Sequence, residues 1–215
     1  MKNLVVLVLL AWTAAEAIAG SYDNILAAAR DDRADEVINL VERGMDPNTS
    51  DRNGTTLLMF AASNGDERII EFLLRSKCNI LKQNTFGDTA IGLAALRGQL
   101  SVVRRLADAG AQLDGKNWNP LHYAAYAGHI EVVRWLIERK APLDAKAPNL
   151  QTALMLAAKN GHEEAVHLLI EAGASPDAED SEKRTAYDLA IQANNRAIAD
   201  YLNGKGSRRQ AGGLN

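Results

Sequence analysis

The chain has 215 residues, 47% of them hydrophobic and 24% charged, a composition that suits one packed domain and argues against disorder of the whole chain. With 24 Lys and Arg against 27 Asp and Glu, the net charge is −3, which gives no reason to expect nucleic acid or an anionic membrane as partner. The single cysteine, Cys78, excludes an internal disulfide and any multi-cysteine metal site, so stability must come from packing.

Residues 1–19 are predicted to be a secretory signal peptide. A short positive start precedes an apolar run from Leu4 to Ala15, and a small-x-small pattern ends at Ala19. The run is shorter than the roughly 20 residues that a membrane-spanning helix needs, so an uncleaved anchor is the weaker alternative. We expect cleavage after Ala19, with Ala17 as the other position. The mature protein is then expected in the periplasm or secreted, without a membrane association.

A repeat of about 33 residues fills most of the remaining chain. The apolar residues that open successive units follow one another at intervals of 33, 33, 30, 33 and 33: they are Ile25, Leu58, Ile91, Leu121, Leu154 and Tyr187. Repeats of this length indicate a solenoid of stacked units. Six units are predicted, starting near residues 22, 51, 84, 114, 147 and 180.

Each unit is predicted to be a helix, a tight turn and a second helix. In the fourth unit the pair Ala124-Ala125 allows close helix packing, Gly128 supplies a left-handed turn, and apolar residues from Val132 to Ile137 have helical spacing. The predicted fold class is therefore all-α. The second helices are expected to end at Gly44, Lys77, Gly110, Lys140 and Gly173.

Polar, turn-forming stretches such as residues 46–54 join the units and are predicted to form projecting hairpins. The interval of 30 means that three residues are missing between Gly110 and Asp114. We therefore expect that hairpin to be short or distorted, with a notch beside it. The segment 204–215 is Gly-rich and basic, with too little apolar content to pack, and is predicted to be a flexible tail.

The stretch from Asn119 to Val133 resembles the ankyrin repeat, whose pattern Thr-Pro-Leu-His-x-Ala-Ala-x-x-Gly-His-x-x-x-Val it follows with Asn in place of Thr. The resemblance covers about residues 22–203. It implies an ankyrin-repeat solenoid of about six helix-turn-helix units with projecting hairpin loops, in a domain spanning 20–203. It also implies that the work of the chain is to bind another protein.

No catalytic, metal or cofactor site is predicted. The resemblance places His122 in the Leu-His step of the first helix, and it places His129 and His162 after the turn glycine, where the family uses imidazole to tie turns. His162 and His167 are five residues apart, the wrong spacing for one helical face. Acidic groups such as Asp180 and Glu182 are interpreted as a solvated face. An enzyme that uses the histidines with Asp or Glu remains the alternative from another class.

Cys78 follows Lys77 at a position where other units have Met or Ala, so it is interpreted as a packing residue. An oxidation-sensitive thiol is the alternative, and it would require exposure and a lowered pKa.

The resemblance places the partner-binding surface on the concave face, which is formed by the hairpin tips and the exposed side of the first helices. The candidate residues are Arg52, Asn53, Phe86, Arg97, Trp118, Tyr126, Lys159 and Asn160. Phe86, Arg97, Trp118 and Tyr126 are expected to form the centre, because aromatic and Arg side chains carry most interface energy. Two tryptophans need separate interpretations: Trp118 could instead fold back to fill the gap beside the short hairpin, and Trp135 is expected in the core.

The leading functional hypothesis is a monomeric, exported bacterial adaptor that binds a protein of unknown identity and no small-molecule substrate. A sharper alternative is an inhibitor, an immunity-type protein or a protective binder of one specific enzyme or toxin. A structural scaffold, or a membrane-tethered assembly if the leader is retained, is the third hypothesis.

Overall fold

A computed structural model describes residues 22–115 and 117–206 of the chain. Within those ranges the regular elements are twelve helices, which confirms the predicted all-α class. None of the helices in these two ranges is long and apolar enough to cross a membrane. The predicted signal peptide, residues 1–19, and residues 207–215 of the predicted tail lie outside the described residues.

The helices alternate between a first and a second helix in each of six units. The first helices are α1 over 22–30, α3 Leu57–Asn64, α5 Ala90–Leu96, α7 Pro120–Ala127, α9 Ala153–Asn160 and α11 Ala186–Gln192. The second helices are α2 Ala34–Glu42, α4 Glu67–Arg75, α6 Leu100–Asp108, α8 Ile130–Glu138, α10 Glu163–Glu171 and α12 Arg196–Asn203.

The helix boundaries follow from local chemistry. Helices α3, α5, α9 and α11 are each preceded by a threonine whose hydroxyl oxygen accepts a backbone N–H of the first turn, as Thr56 does from Met59 at 3.2 Å. The turn between the two helices needs a left-handed residue, which is Gly128 (φ 74°) in the fourth unit. In the end units Asp32 and Asn194 take that conformation, each at φ 60°.

The first helices form one layer, in which α3 packs on α5, α5 on α7, α7 on α9 and α9 on α11. The alanine pairs, such as Ala94-Ala95 and Ala124-Ala125, are completely buried there and let the short helices approach closely. The second helices contribute branched aliphatic residues to the same core, Leu136 among them. Each unit therefore buries its apolar face against its neighbours, as a repeat stack requires.

Loops of fourteen residues join the units, except that the loop 109–119 between α6 and α7 has eleven. In the first full-length loop Asp51 Oδ1 accepts the backbone N–H groups of Asn53 and Thr55 at 2.9 and 2.8 Å, and an antiparallel bridge joins Ser50 to Thr56. Neighbouring tips are also linked, since the N–H of Thr85 donates to the carbonyl of Asn53 at 2.8 Å. These contacts form the predicted hairpins, and the predicted short loop is confirmed.

Candidate partner-binding face

Aromatic side chains gather where α7 meets the loop tips. The Trp118 ring lies 5.2 Å from that of Tyr123 and 5.4 Å from that of Tyr126, between centroids, with the second pair arranged edge to face. Phe86, at the tip of the preceding loop, lines the same groove as Trp118. We call Phe86, Trp118 and Tyr126 the aromatic patch; Phe86 is 72% exposed and Tyr126 is 44% exposed. Such a cluster of rings at the surface marks a candidate contact surface.

Phe86 is held at the loop tip by its own backbone. Asn84 Oδ1 accepts the N–H groups of Phe86 and Asp88, each at 2.9 Å, which closes a turn around the tip. The next residue, Gly87, has φ 84°, a conformation that disfavours other residue types. The ring is thus presented on a fixed backbone and not on a loose segment.

Tyr123 forms the inner wall of the groove and is a residue that sequence reasoning missed. It is 8% exposed, and its hydroxyl donates a short hydrogen bond to Asp88 Oδ1. Burial, reinforced by this bond and by the charge of Asp88, raises the pKa of Tyr123 above its usual value, so the phenol remains a donor. The only hint in the sequence was an aromatic residue between His122 and the alanine pair Ala124-Ala125.

The groove itself is open and is lined by both apolar and amide groups. Besides Phe86, Trp118 and Tyr123, its walls include Asn117, Pro148 and Asn149 from the two following loops. Three successive units therefore contribute to one surface. An open groove of this kind suits an extended contact with a protein better than an enclosed small molecule.

The remaining predicted residues lie outside this cluster. Arg97 is exposed, but its Nε faces Ser63 Oγ of the preceding unit at 3.4 Å. Arg52 and Asn53 are exposed at an earlier loop tip, and Lys159 and Asn160 are exposed at the end of α9. The side-chain amide of Asn160 donates to the carbonyl of Leu156 at 2.8 Å. The structure thus brings the three predicted aromatics together, and none of the five polar candidates lines the groove beside them.

The interpretation of the histidines is confirmed. Nε2 of His129 lies 3.0 Å from the carbonyl of Leu96, and Nε2 of His162 lies 2.9 Å from the carbonyl of Tyr126, so each ring ties one turn to the preceding unit. Asn195 does the same in the last unit, donating to Ala158 and Lys159 at 2.9 and 3.0 Å.

His122 is buried and joins the fourth unit to the fifth. Its Nδ1 accepts the N–H of Asn119 at 3.1 Å, so Nε2 carries the proton and faces the carbonyls of Ala145 and Gln151 at 3.0 and 3.2 Å. Burial lowers the pKa of His122 below its usual 6.5, although the two carbonyls oppose the shift. The imidazole is a neutral structural group.

Trp118 packs beside the short loop, as its alternative interpretation expected, and its part in partner binding stays a prediction. It is half-buried against the core, and it lines both the aromatic groove and the pocket left by the short loop. Trp135 is buried, as expected. Cys78 is also buried, which confirms it as a packing residue, and burial raises the pKa of its thiol to about 11.

The interpretation of Asp180 as part of a solvated face was wrong. Asp180 is only 4% exposed, and its Oδ1 accepts the N–H groups of Glu182 and Arg184, each at 2.9 Å. Burial alone would raise its pKa, but the hydrogen bonds and the guanidinium of Arg184, 2.8 Å away, hold the pKa below its ordinary value. The carboxylate orders a loop. Across 22–115 and 117–206, no three His, Cys, Asp or Glu residues are grouped so as to hold a metal ion.

Comparison with known proteins agrees with this architecture. The family model "Ankyrin repeats (3 copies)" matches residues 58–147 and 140–209, and "Ankyrin repeats (many copies)" matches residues 25–74. A glycerophosphocholine phosphodiesterase of Candida albicans is 33% identical over 115 residues, which are 49% of this chain and 10% of that protein. The tyrosine-protein kinase Shark of Drosophila melanogaster is 32% identical over 95 residues, 42% of this chain and 10% of the kinase.

The chain spans about a tenth of the length of these two relatives, so the similarity concerns the repeat segment. Ankyrin repeats are in general binding modules without catalytic activity of their own, which agrees with an open, aromatic surface. The family models together cover most of the chain, and the buried alanine pairs, turn residues and loops follow the same plan in unit after unit. This chain belongs to the ankyrin-repeat family and is built as a protein–protein interaction module.

Proposed function

We propose that the protein is an exported adaptor that binds one protein partner through the aromatic patch. The observation that carries the proposal is the exposure of Phe86 and Tyr126 beside the half-buried Trp118. Aromatic side chains that become buried at an interface commonly contribute ~2 kcal/mol or more each. The patch is central in the stack, so partner residues on either side could contact the neighbouring loop tips.

The surroundings of the patch are pre-organised for such a contact. Tyr123 is fixed by Asp88, and Phe86 stands on a turn closed by Asn84. Little side-chain and loop entropy would then be lost when the partner binds, which favours affinity. Asn117 and Asn149, which also line the groove, offer amide donors and acceptors to a partner's backbone.

The proposed compartment is the periplasm or the external medium. It is supported by the leader-like segment 1–19, with its apolar run and the small residues before Ala19. Mass spectrometry of the protein recovered from its native host tests this part directly. A mature chain that starts at residue 20, or at 18, supports export with cleavage, whereas a chain that retains 1–19 would favour a tethered scaffold.

The test of the binding surface is affinity capture followed by titration calorimetry with the recovered partner. The variants Phe86→Ala and Tyr126→Ala remove exposed rings and leave the core intact, whereas Trp118→Ala would also disturb packing. Phe86→Ala and Tyr126→Ala are each expected to weaken binding of the partner by about 30-fold, the equivalent of ~2 kcal/mol. The matched control is Ile191→Ala, an apolar residue that is 50% exposed in the last unit, which should bind as wild type does.

Equal affinity of all variants for the partner would show that the surface lies elsewhere. Loss of the partner's enzymatic or toxic activity in the complex would sharpen the proposal to an inhibitor or immunity-type protein.

A further inference from the structure

Neighbouring loop tips are tied by one backbone hydrogen bond at each end of the stack. Thr85 donates its N–H to the carbonyl of Asn53 at 2.8 Å, and Ser181 donates to the carbonyl of Asn149 at 3.1 Å. In both pairs the donor stands four residues before the threonine that caps its first helix, and the acceptor stands three residues before the corresponding threonine of the preceding unit. The repeat plan therefore assigns a donor position and an acceptor position to the loop tips.

The two central junctions between tips lack this bond. In the shortened loop 109–119 the donor position falls on Gly115, whose N–H does not donate to the carbonyl of Phe86. In the following loop the donor position falls on Pro148, which has no N–H. The carbonyl of Phe86, a residue that is 72% exposed, thus accepts no N–H from the residues that the structure describes. The acceptor position is filled at both ends of the stack and is open to solvent at Phe86.

The groove beside the aromatic patch lies in this gap. Phe86 and Pro148 line it from the loops on either side of the short one, and its described lining is uncharged. The nearby carboxylate of Asp88 is engaged, since it accepts the hydroxyl of Tyr123 and the side-chain amide of Asn84. The cavity volume is about 260 Å³, less than the roughly 300–1,000 Å³ of sites that enclose a small molecule. The groove therefore suits a segment that lies across it.

We infer that the groove binds an extended peptide segment of the partner, whose backbone N–H donates to the carbonyl of Phe86 and whose apolar side chain packs on the aromatic patch. The segment supplies the N–H that a neighbouring tip supplies to Asn53 and Asn149. That the segment belongs to a protein partner rests on the proposed function, whereas the pairing with Phe86 rests on the gap between the tips.

The open carbonyl selects an extended segment over a helical one. Beyond its first turn a helix uses its own N–H groups in internal bonds, so it has none to give to Phe86. An extended segment keeps its N–H groups free and turns successive side chains to opposite sides, so one face pairs with the backbone while the other packs on the rings. When a peptide joins an existing ladder in this way, the main-chain bonds give affinity and the side-chain contacts give specificity. The uncharged lining offers no ion-pair partner to a charged side chain, which favours an apolar one.

The test uses N-acetyl-leucine N-methylamide, which mimics an extended residue with an apolar side chain, titrated into the ¹³C,¹⁵N-labelled full chain and followed by NMR. We expect a saturable downfield shift of the carbonyl ¹³C signal of Phe86, because that oxygen gains a donor. The carbonyls of Asn53 and Asn149 are internal controls and should not shift, since each already accepts an N–H. The isosteric diester, in which oxygen replaces both N–H groups of the probe, should bind about fivefold more weakly.

Two results would overturn the inference. The first is a Phe86 carbonyl signal that does not move at saturating probe, which would mean that this carbonyl takes no part. The second is an equal affinity of the amide and the diester, which would mean that the rings alone hold the ligand.

A variant that closes the gap tests the same inference from the protein side. Inserting a copy of residues 81–83 between Leu113 and Asp114 gives the short loop the length of the others. Once circular dichroism confirms the fold, this variant should lose both the probe and the partner although Phe86 and Tyr126 are unchanged. Wild-type affinity of the folded insertion variant for both ligands would also overturn the inference. If the insertion prevents folding, the comparison of amide and diester decides alone.

The outcomes separate this inference from the proposed function. Loss of the partner in Phe86→Ala and Tyr126→Ala, with equal binding of amide and diester by wild type, would retain the adaptor and reject the extended segment. A shift of the Phe86 carbonyl with the amide probe, with full affinity of both alanine variants for the partner, would retain the peptide groove and reject the patch as the partner's site.

Discussion

Replacing His122 by alanine is expected to lower the free energy of unfolding by about 3–5 kcal/mol. The ring accepts one backbone N–H, that of Asn119, and donates toward the carbonyls of Ala145 and Gln151. Buried polar groups that lose their partners cost about 1–3 kcal/mol each, and the two carbonyls share a single donor. The cavity left by a ring that is 1% exposed adds to the loss.

The same residue predicts a pH dependence of the wild type. Because burial lowers the pKa of His122 in the folded state, the unfolded chain binds a proton at a higher pH than the folded chain does. Stability contributed by the neutral ring is therefore complete above the unfolded pKa of 6.5 and declines as the pH falls below it. Protonation of Nδ1 would also turn it into an N–H donor that faces the backbone N–H of Asn119, so two donors would meet and the hydrogen bond would be lost.

Urea unfolding followed by far-UV circular dichroism, from about pH 8 to about pH 5, measures both effects. The matched control is His167→Ala, whose ring packs on that of Tyr201 at a centroid distance of 4.2 Å. That variant should keep the wild-type decline of stability with acid, and His122→Ala should show a shallower one. If His122→Ala is as stable as wild type, or declines with the same slope, the structural assignment of this histidine is refuted.

Three further expectations concern packing. Gly98→Ala should destabilise the fold by about 1–3 kcal/mol in thermal or urea unfolding, because φ is 71° and a Cβ would lie 2.6 Å from Nδ1 of His129. The control is Gly115→Ala, which has open space around it and should change the free energy of unfolding by less than about 0.5 kcal/mol. Leu136→Ala should cost about 2–5 kcal/mol by the same measurement, since the side chain is fully buried, and a smaller loss would mean that α8 repacks. Cys78 should react with a disulfide reagent at about pH 8 roughly 100-fold more slowly than a free thiol, because burial raises the pKa of its thiol to about 11. A reaction rate equal to that of the urea-unfolded chain would contradict the burial of Cys78.

The repeat plan could be predicted from the sequence because it depends on local chemistry that recurs from unit to unit. Alanine pairs and left-handed turn residues act within a few positions of each other, so their spacing is visible along the chain. The missing three residues before α7 were visible in the same way, as an interval of 30 instead of 33. The resemblance to the ankyrin pattern placed Phe86 and Tyr126 on the exposed surface, where the structure also has them.

Contacts between units were decided only by the tertiary structure, because they join residues about one repeat apart that no local pattern relates. The bond from Tyr123 to Asp88 belongs to this group, as does the direction of Arg97 toward Ser63. The burial of the Asn119 side chain without an acceptor for Nδ2 among the described residues was likewise decided only by the fold. In the sequence it is one tolerated exchange for threonine, and only the packing around the start of α7 removes the amide from water.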